Sequence, residues 1–549
     1  MRVKELARRE PMVRWFSPKQ LINTAAQVLL SLIFGSRADY RIIEALQTPQ
    51  PKPFDYSGEK DLWLDFVADL GDGWNSTYSV ASLLARPSLK LKDYNLELPR
   101  AKVLIMGGDE VYPLASRFNY ENRLRHPYQA ASNPAAVTTF ADLFAIPGNH
   151  DWYDGLISFM RIFAERRSIG AWQTRQERSY FALKLPHEWW LLGVDIQLEA
   201  DIDGPQLQYF RDAAGNMKAG DRVILCTAQP DWYYGKAYDP LLENNIDFLE
   251  NKVIAPTGAR ILVRLSGDMH FYMRHEALDH SGAQMIISGG GGAFLKPTSG
   301  PNMDKISYRE SSGNINFVRK AEYPDAFRSW LLGFKILLFP FYNPLFGIFT
   351  AFAYLPVVWL SLKTEYSGNL FASFSGAFLK LLQTAGGFSW AAVMILLFIV
   401  FTDTHKKIYR WVAGFFHAVS HIFAALGIAL FIFPLISFGV WSYWIRLFAT
   451  LTGGYVFGSF VMGLYLFISL NVFRRHSDEA FSALRIQDYK NFLRLHFMED
   501  GSLGVYPIAI EKVPRKWRTN PAAAPFEPLW LPDGAPLHAH LIENPIIVK

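Results

Sequence analysis

Four short motifs along this 549-residue chain carry oxygen and nitrogen donors of the kind that hold a divalent metal ion. Asp69-Leu70-Gly71 follows the run Trp63 to Ala68. Gly108-Asp109-Glu110-Val111-Tyr112 follows a second apolar run. Gly148-Asn149-His150-Asp151 follows a third, and Gly267-Asp268-Met269-His270 closes the series. Each stands where an apolar stretch gives way to turn residues. Metal-assisted chemistry at a shared site is what such a series suggests.

The elements that would position these groups read as strands. Val103–Met106, Leu143–Ile146, Leu191–Val194, Val223–Cys226, Ile261–Leu265 and Met285–Ile287 are short apolar runs that alternate with helical patterns and end in polar or glycine-rich turns. In α/β sheets ligands gather beyond the strand C-termini. Polar and acidic residues at so many strand ends therefore predict one common pocket. Ser288 and Gly289 to Gly292 end the last of these runs. They lack a Walker lysine, so they form no P-loop; Gly290 and Gly291 are expected to line the pocket with backbone N–H groups, or else to form a tight packing turn.

The order of motifs resembles the calcineurin-like metallophosphoesterases over about residues 60–295, with Gly148-Asn149-His150-Asp151 the most specific match. The resemblance implies a β-sandwich flanked by helices and a dinuclear metal site at which a metal-activated water attacks phosphorus. Two nearby cations would offset the charge of the phosphate ester and clamp the transferring group. Carried over residue by residue, Asp69 and His270 bind the first metal, Asp109 bridges both, Asn149 binds the second, His150 is the general acid, and Asp151 orients His150. The ions implied are Mn or Fe, with Mg or Zn as alternatives.

Three positions depart from the family pattern. Gly71 stands where a histidine ligand is usual. Purple acid phosphatases share that glycine and use the tyrosine of the second motif as a ligand, which here is Tyr112; Asp72 is a weaker substitute. Ala228 falls where a histidine before a proline is expected, and it cannot ligate. Asp268 replaces the first histidine of the last motif with an oxygen donor. Arg117, Arg123, Arg125 and His126 lie between the second and third motifs and either hold substrate phosphate or form a solvated face.

Half of the residues are hydrophobic and the mean hydropathy lies just above zero, so part of the chain is expected to meet lipid. Apolar segments at 344–362, 386–402, 411–435 and 447–473 approach or exceed the ~20 residues that cross hydrocarbon. They predict an all-α membrane domain of about four transmembrane helices. Trp330–Phe341 suits an interfacial or re-entrant piece. His417 and His421 share a face of the third segment, for a functional role or for bonding to a neighbouring helix. Met1–Pro11 shows no signal-peptide pattern, and Leu21–Phe34 reads as an amphipathic helix. Lys406, Lys407, Arg410, Arg474 and Arg475 place the N-terminal domain and the tail in the cytoplasm by the positive-inside rule. One cysteine, Cys226, excludes an internal disulfide. The net charge of +5 is mild, and no basic run calls for nucleic acid.

The organisation expected is an N-terminal helical segment over 1–50, a metallophosphoesterase domain over 51–325, a transmembrane domain over 326–475 and a cytoplasmic tail over 476–549, helical at its start. The activity expected is hydrolysis of a phosphate ester by an integral membrane protein, with no reading of substrate or oligomeric state. The alternative is a catalytically weak module of the same fold, coupled to the helices.

Overall fold

A computed structural model describes residues 9–23, 52–91, 94–133, 135–197, 201–237, 245–310, 313–361, 368–402, 406–432 and 441–549. The described residues fall into two compact units. One draws on Met1–Val13, Gln27–Ala326 and Ile486–Lys549, the other on Arg14–Ala26 and Phe327–Arg485. The helix expected over Leu21–Phe34 lies mostly outside the described residues.

The first unit is a sandwich of two sheets. One runs in the order His540–Leu541, Leu503–Ile510, Lys490–Phe497, Leu62–Val67, Val103–Met106, Ala141–Ala145, Trp172–Thr174, Ser168–Ile169. The other runs Phe54–Asp55, Phe181–Lys184, Trp189–Val194, Arg222–Thr227, Arg260–Ser266, Gln284–Ser288, Tyr272–Ala277, Gly313–Tyr323, Lys305–Glu310. Period-two alternation assigns the faces. Leu62, Leu64 and Phe66 enter the core between the sheets, beside Phe144, Leu191, Ile224, Leu265 and Ile286. Val67 faces the opposite way, into an outer core that contains the helix Trp74–Leu84. The helix Gly204–Ala214 covers the outer face of the second sheet. The layers are thus helix, sheet, sheet, helix, the flanked β-sandwich that the resemblance implies.

Each sheet contains a run of four parallel neighbours, three of which lead into the motif positions. Leu62–Val67 pairs in parallel with Val103–Met106, which pairs in parallel with Ala141–Ala145. Arg222–Thr227 pairs likewise with Arg260–Ser266, and that strand with Gln284–Ser288. The four motifs, Ala228 and the run Gly289 to Gly292 follow the C-terminal ends of these six strands.

The segment after Arg485 departs from expectation. It groups with the sandwich rather than standing apart as a tail, and the helix expected from about Arg474 to Phe497 ends at Leu484. Lys490–Phe497 is a strand paired antiparallel to Leu62–Val67, with Leu493 opposite Phe66, Arg494 opposite Asp65, Leu495 opposite Leu64 and His496 opposite Trp63. Leu493, Leu495 and Phe497 alternate into the inter-sheet core. On the other face Arg494 makes a buried two-pronged contact with Asp65, at 2.7 Å and 2.9 Å, and donates to the Pro99 carbonyl at 2.9 Å. Breaking a buried pair leaves an uncompensated charge. Arg494→Leu is therefore expected to cost about 3–5 kcal/mol in chemical denaturation, and Asp65→Leu added to it should restore part of that loss. Additive losses in the double variant would refute the pairing.

The second unit is helical. Lys407–Ile432 and Ser442–Asn471 are each long and apolar enough to cross a membrane. Ala326–Tyr342 with Phe346–Leu360, bent by 67°, and Leu370–Gln383 with Ala385–Phe401, bent by 104°, are pairs that pass the same test only together. Two to four spans result, and the helix Leu370–Gln383 occupies what read as a loop. Gly454 and Gly458 let Phe346–Leu360 approach closely: a Cβ on Gly458 would lie 2.4 Å from the Cβ of Thr350. His417 and His421 meet at 3.3 Å, and Tyr354 bonds His421 at 2.9 Å. His417 stacks on Tyr465 at 3.7 Å.

Candidate active site

Asp69, Asp109, Asp268 and His270 share a backbone peculiarity. Their φ angles are 58°, 53°, 64° and 51°, all in the left-handed region. Such a conformation costs a non-glycine residue roughly 1 kcal/mol or more and tends to mark functional sites. Here it turns each side chain sharply off its loop, and those of Asp69, Asp109 and His270 meet at a common point.

At that point stands the hydroxyl of Tyr112. It lies 3.1 Å from Asp69 Oδ1, 3.0 Å from Asp109 Oδ2 and 2.9 Å from His270 Nε2. His270 Nδ1 is 2.7 Å from the Phe294 carbonyl. A carbonyl only accepts, so Nδ1 carries the proton and Nε2 presents a lone pair. Three acceptors therefore compete for one hydroxyl proton. Asp69 Oδ2 is buried with no hydrogen-bond donor at all. Acceptors gathered in excess of donors, away from water, fit a cation. Among the described residues no three His, Cys, Asp or Glu side chains alone make such a group, so the Tyr112 oxygen is what completes the donor set.

The same geometry explains Gly71. A Cβ there would fall 2.6 Å from the Glu110 carbonyl oxygen, which accepts the Gly71 amide at 3.0 Å. The close approach of the two loops excludes a histidine and leaves the position to be served by Tyr112. Asp72 turns away instead, accepting from the amides of Val13 at 2.8 Å and Phe294 at 3.2 Å.

Burial raises the pKa of Asp69 well above the carboxylate range, and the nearby charges of Asp109 and Asp268 raise it further. Tyr112 is likewise held well above its usual value by burial and then by Asp109 and Asp69. Burial holds the His270 imidazole well below its usual value, helped by the Lys296 and Lys490 charges. The pocket thus resists both more negative charge and a protonated imidazole.

On the other side of Asp109, the His150 amide donates to Asp109 Oδ1 at 3.0 Å. His150 Nδ1 bonds the Pro113 carbonyl at 2.7 Å, so Nδ1 is protonated and Nε2 is the nitrogen able to exchange a proton. Asn149 is half-buried at the start of the short helix Asn149–Trp152. Ala228 sits against the Gly108 turn: a Cβ on Gly108 would lie 2.5 Å from the Ala228 methyl. Asp268 accepts from the Tyr234 hydroxyl, and Lys296 Nζ is 4.0 Å from its other oxygen.

Two expectations require correction. Asp151 was expected to orient His150, but its carboxylate accepts from the Gly148 amide at 2.8 Å, the Glu110 amide at 3.2 Å and the Tyr120 hydroxyl. It ties the second and third motif loops together, while the Pro113 carbonyl orients His150. Burial and the Asp109 charge push Asp151 up to about 8. Gly290 and Gly291 pack against protein, the Gly290 carbonyl accepting from the Asn491 amide at 3.1 Å. The Gly291 amide is spent on the Ala68 carbonyl at 2.8 Å, and a Cβ on Gly290 would strike Asn491 at 2.2 Å. The run is a packing turn. Its first member does touch the site, since a Cβ on Gly289 would lie 2.1 Å from Asp69 Oδ2.

The arginines between the motifs divide. Arg123 is buried and donates to the Pro11 carbonyl at 3.0 Å and to the Asp72 carbonyl. Arg125 pairs with Glu121 at 2.9 Å, and Arg117 is exposed. Sequence reasoning missed Tyr234, Lys296 and Lys490, none of which stands in a motif.

The family model for calcineurin-like phosphoesterases matches residues 62–270. No curated protein matches the chain. Among solved structures, the chain is similar to the anchor in the inner membrane complex of Plasmodium, at 11% identity over 47% of this chain and 84% of that one, with a TM-score of 0.32. It is also similar to a purple acid phosphatase from yellow lupin (Lupinus luteus) seeds, at 13% identity over 45% of this chain and 46% of that one, with a TM-score of 0.28.

Proposed function

We propose that the calcineurin-like phosphoesterase domain of this chain is an active, metal-dependent hydrolase of phosphate esters, tethered to a bilayer by its helical unit. The observation that carries the reading is the surplus of acceptors, Asp69, Asp109 and His270, around the single proton of Tyr112. Asp69, Asp109, Tyr112 and His270 would hold a metal ion. Such an ion supplies positive charge to the phosphate oxygens and makes a neighbouring water more acidic.

The chain's own residues do the rest. Phe294 fixes the tautomer of His270 and keeps its lone pair on the site. The Asp109 carboxylate links the two halves of the pocket. His150, with Nδ1 anchored on Pro113, delivers a proton from Nε2 to the departing oxygen. Asn149 and Asp268 complete the polar wall. The basic residues Lys406, Lys407, Arg410, Arg474 and Arg475 near the ends of the apolar segments support a cytoplasmic domain, because loops rich in Lys and Arg favour that side.

The test is hydrolysis of 4-nitrophenyl phosphate and bis(4-nitrophenyl) phosphate by the purified full-length protein with Mn²⁺, together with its metal content. Turnover that chelation abolishes is expected. A metal-free, inactive protein would instead leave a binding module of the same fold.

His150 gives a more selective check. 4-Nitrophenolate leaves without a proton, whereas an alkoxide does not. His150→Gln should lower turnover of an alkyl phosphate by about 10²-fold and change that of the nitrophenyl ester far less. Equal losses on both esters would remove the general-acid role.

A further inference from the structure

Resting on the phosphoesterase reading, we infer that this is a one-metal site in which the Lys296 ammonium replaces the second metal ion. The pocket has two unlike halves. In the first, Asp69, Asp109 and His270 converge within 3.1 Å of the Tyr112 hydroxyl oxygen, and an Asp69 oxygen has no donor. In the second, the donors thin out. The family's histidine is the methyl of Ala228, packed on the Gly108 turn where no atom of it can bind a cation. The remaining carboxylate, Asp268, is already engaged by the Tyr234 hydroxyl and by Lys296.

Lys296 is itself only 6% exposed. An ammonium so deeply buried needs negative charge close by. Asp268 lies 4.0 Å away and supplies such a charge, and the field of Lys296 reaches Asp69 and His270. Its place in the fold is fixed by the same loop that serves the first half: Phe294 holds His270, and the Leu295 amide bonds the Ile486 carbonyl at 3.0 Å. Three carboxylates, Asp69, Asp109 and Asp268, are thus offset by one metal ion and one fixed cation. A lysine offers three N–H donors to a phosphate oxygen and no coordination chemistry. Its role would be to bind and orient the anionic ester, while the single ion does the rest.

The experiment loads stripped, full-length protein with Mn²⁺ and reads metal stoichiometry, the electron paramagnetic resonance spectrum and affinity for inorganic phosphate. Wild type should bind one Mn²⁺ per chain with the spectrum of an isolated ion. Lys296→Met should keep that ion but weaken phosphate binding roughly tenfold or more, and Lys296→Arg should retain it. Ala228→His combined with Lys296→Met restores a donor and removes the competing charge, so it should admit a second, exchange-coupled ion; its melting temperature reports whether it folds. Two coupled ions in the wild type would overturn the inference and leave the hydrolase reading standing, as would phosphate affinity unmoved in Lys296→Met. A wild type that binds no Mn²⁺ would sink both.

Discussion

Asp109→Ala is expected to abolish metal binding and to lower hydrolysis by roughly 10³-fold or more. The size follows from position. Oδ2 of Asp109 faces the Tyr112 hydroxyl among the first group of donors, and Oδ1 holds the His150 amide. One side chain therefore serves both halves of the pocket. Losing it removes a negative charge from the metal position and frees the loop that carries the proton donor. Metal-ion stabilisation is worth several kcal/mol, and each ~1.4 kcal/mol is a factor of ten in rate. Alanine at φ 53° adds backbone strain, so Asp109→Asn is the sharper variant. It preserves the shape and the amide contact and removes only charge. Turnover of 4-nitrophenyl phosphate and Mn content, measured side by side, should fall in both variants. An Asp109→Asn protein that keeps its metal and its rate would show that the carboxylate is not a ligand.

Much of this site was legible because its residues follow strands. A short apolar run, a turn and a carboxylate form a local pattern, and parallel strands bring such patterns to one edge whatever their separation in the chain. That pattern singles out Asp69, Asp109, Asn149, Asp268 and His270, and of these Asp69, Asp109 and His270 meet at the Tyr112 hydroxyl. What the pattern could not carry was the partner of each group. Asp151 follows His150 in sequence, yet its carboxylate folds back on the amides of Gly148 and Glu110, an outcome set by how two loops pack. The glycine run read as a ligand cradle because glycine serves close approach of any kind. Here the close neighbours are Asp69, Asn491, Ala68 and Leu70. Lys296 was invisible for a simpler reason: a lone lysine in a loop looks solvated until the burial around it is known.

The fold was legible to the same depth and failed at one place. Apolar markers at Phe481, Leu484, Tyr489, Phe492 and Leu493 fit a helical repeat, and the helix they suggest does exist as far as Leu484. Past it, Leu493, Leu495 and Phe497 alternate with Arg494 and His496, which is a strand with one buried face. A short window holds both periods, and only pairing with a strand more than 400 residues earlier decides between them.

That long-range pairing predicts the second large effect: a chain ended at Arg485 should fail to form a stable sandwich. Lys490–Phe497 and Leu503–Ile510 lie beside Leu62–Val67 within the sheet, so their loss exposes the whole edge of that strand. Leu493, Leu495, Phe497, Leu503 and Val505 are fully buried. At ~1.5–3 kcal/mol each their removal costs roughly 7–15 kcal/mol, the whole stability of an ordinary domain, about 5–15 kcal/mol. The damage also reaches the chemistry. The Asn491 amide bonds the Gly290 carbonyl at 3.1 Å, its side chain accepts from Ser288 at 2.9 Å, and Lys490 donates to the Ala293 carbonyl at 2.5 Å. Those contacts hold the turn whose Gly289 abuts Asp69. The truncated chain should therefore aggregate, and any soluble fraction should be open to proteolysis within residues 52–326 and inactive. Co-expression of residues 486–549 as a separate chain should rescue part of the solubility. A truncated protein with native protease resistance and full turnover would mean that the sheet closes without its C-terminal strands.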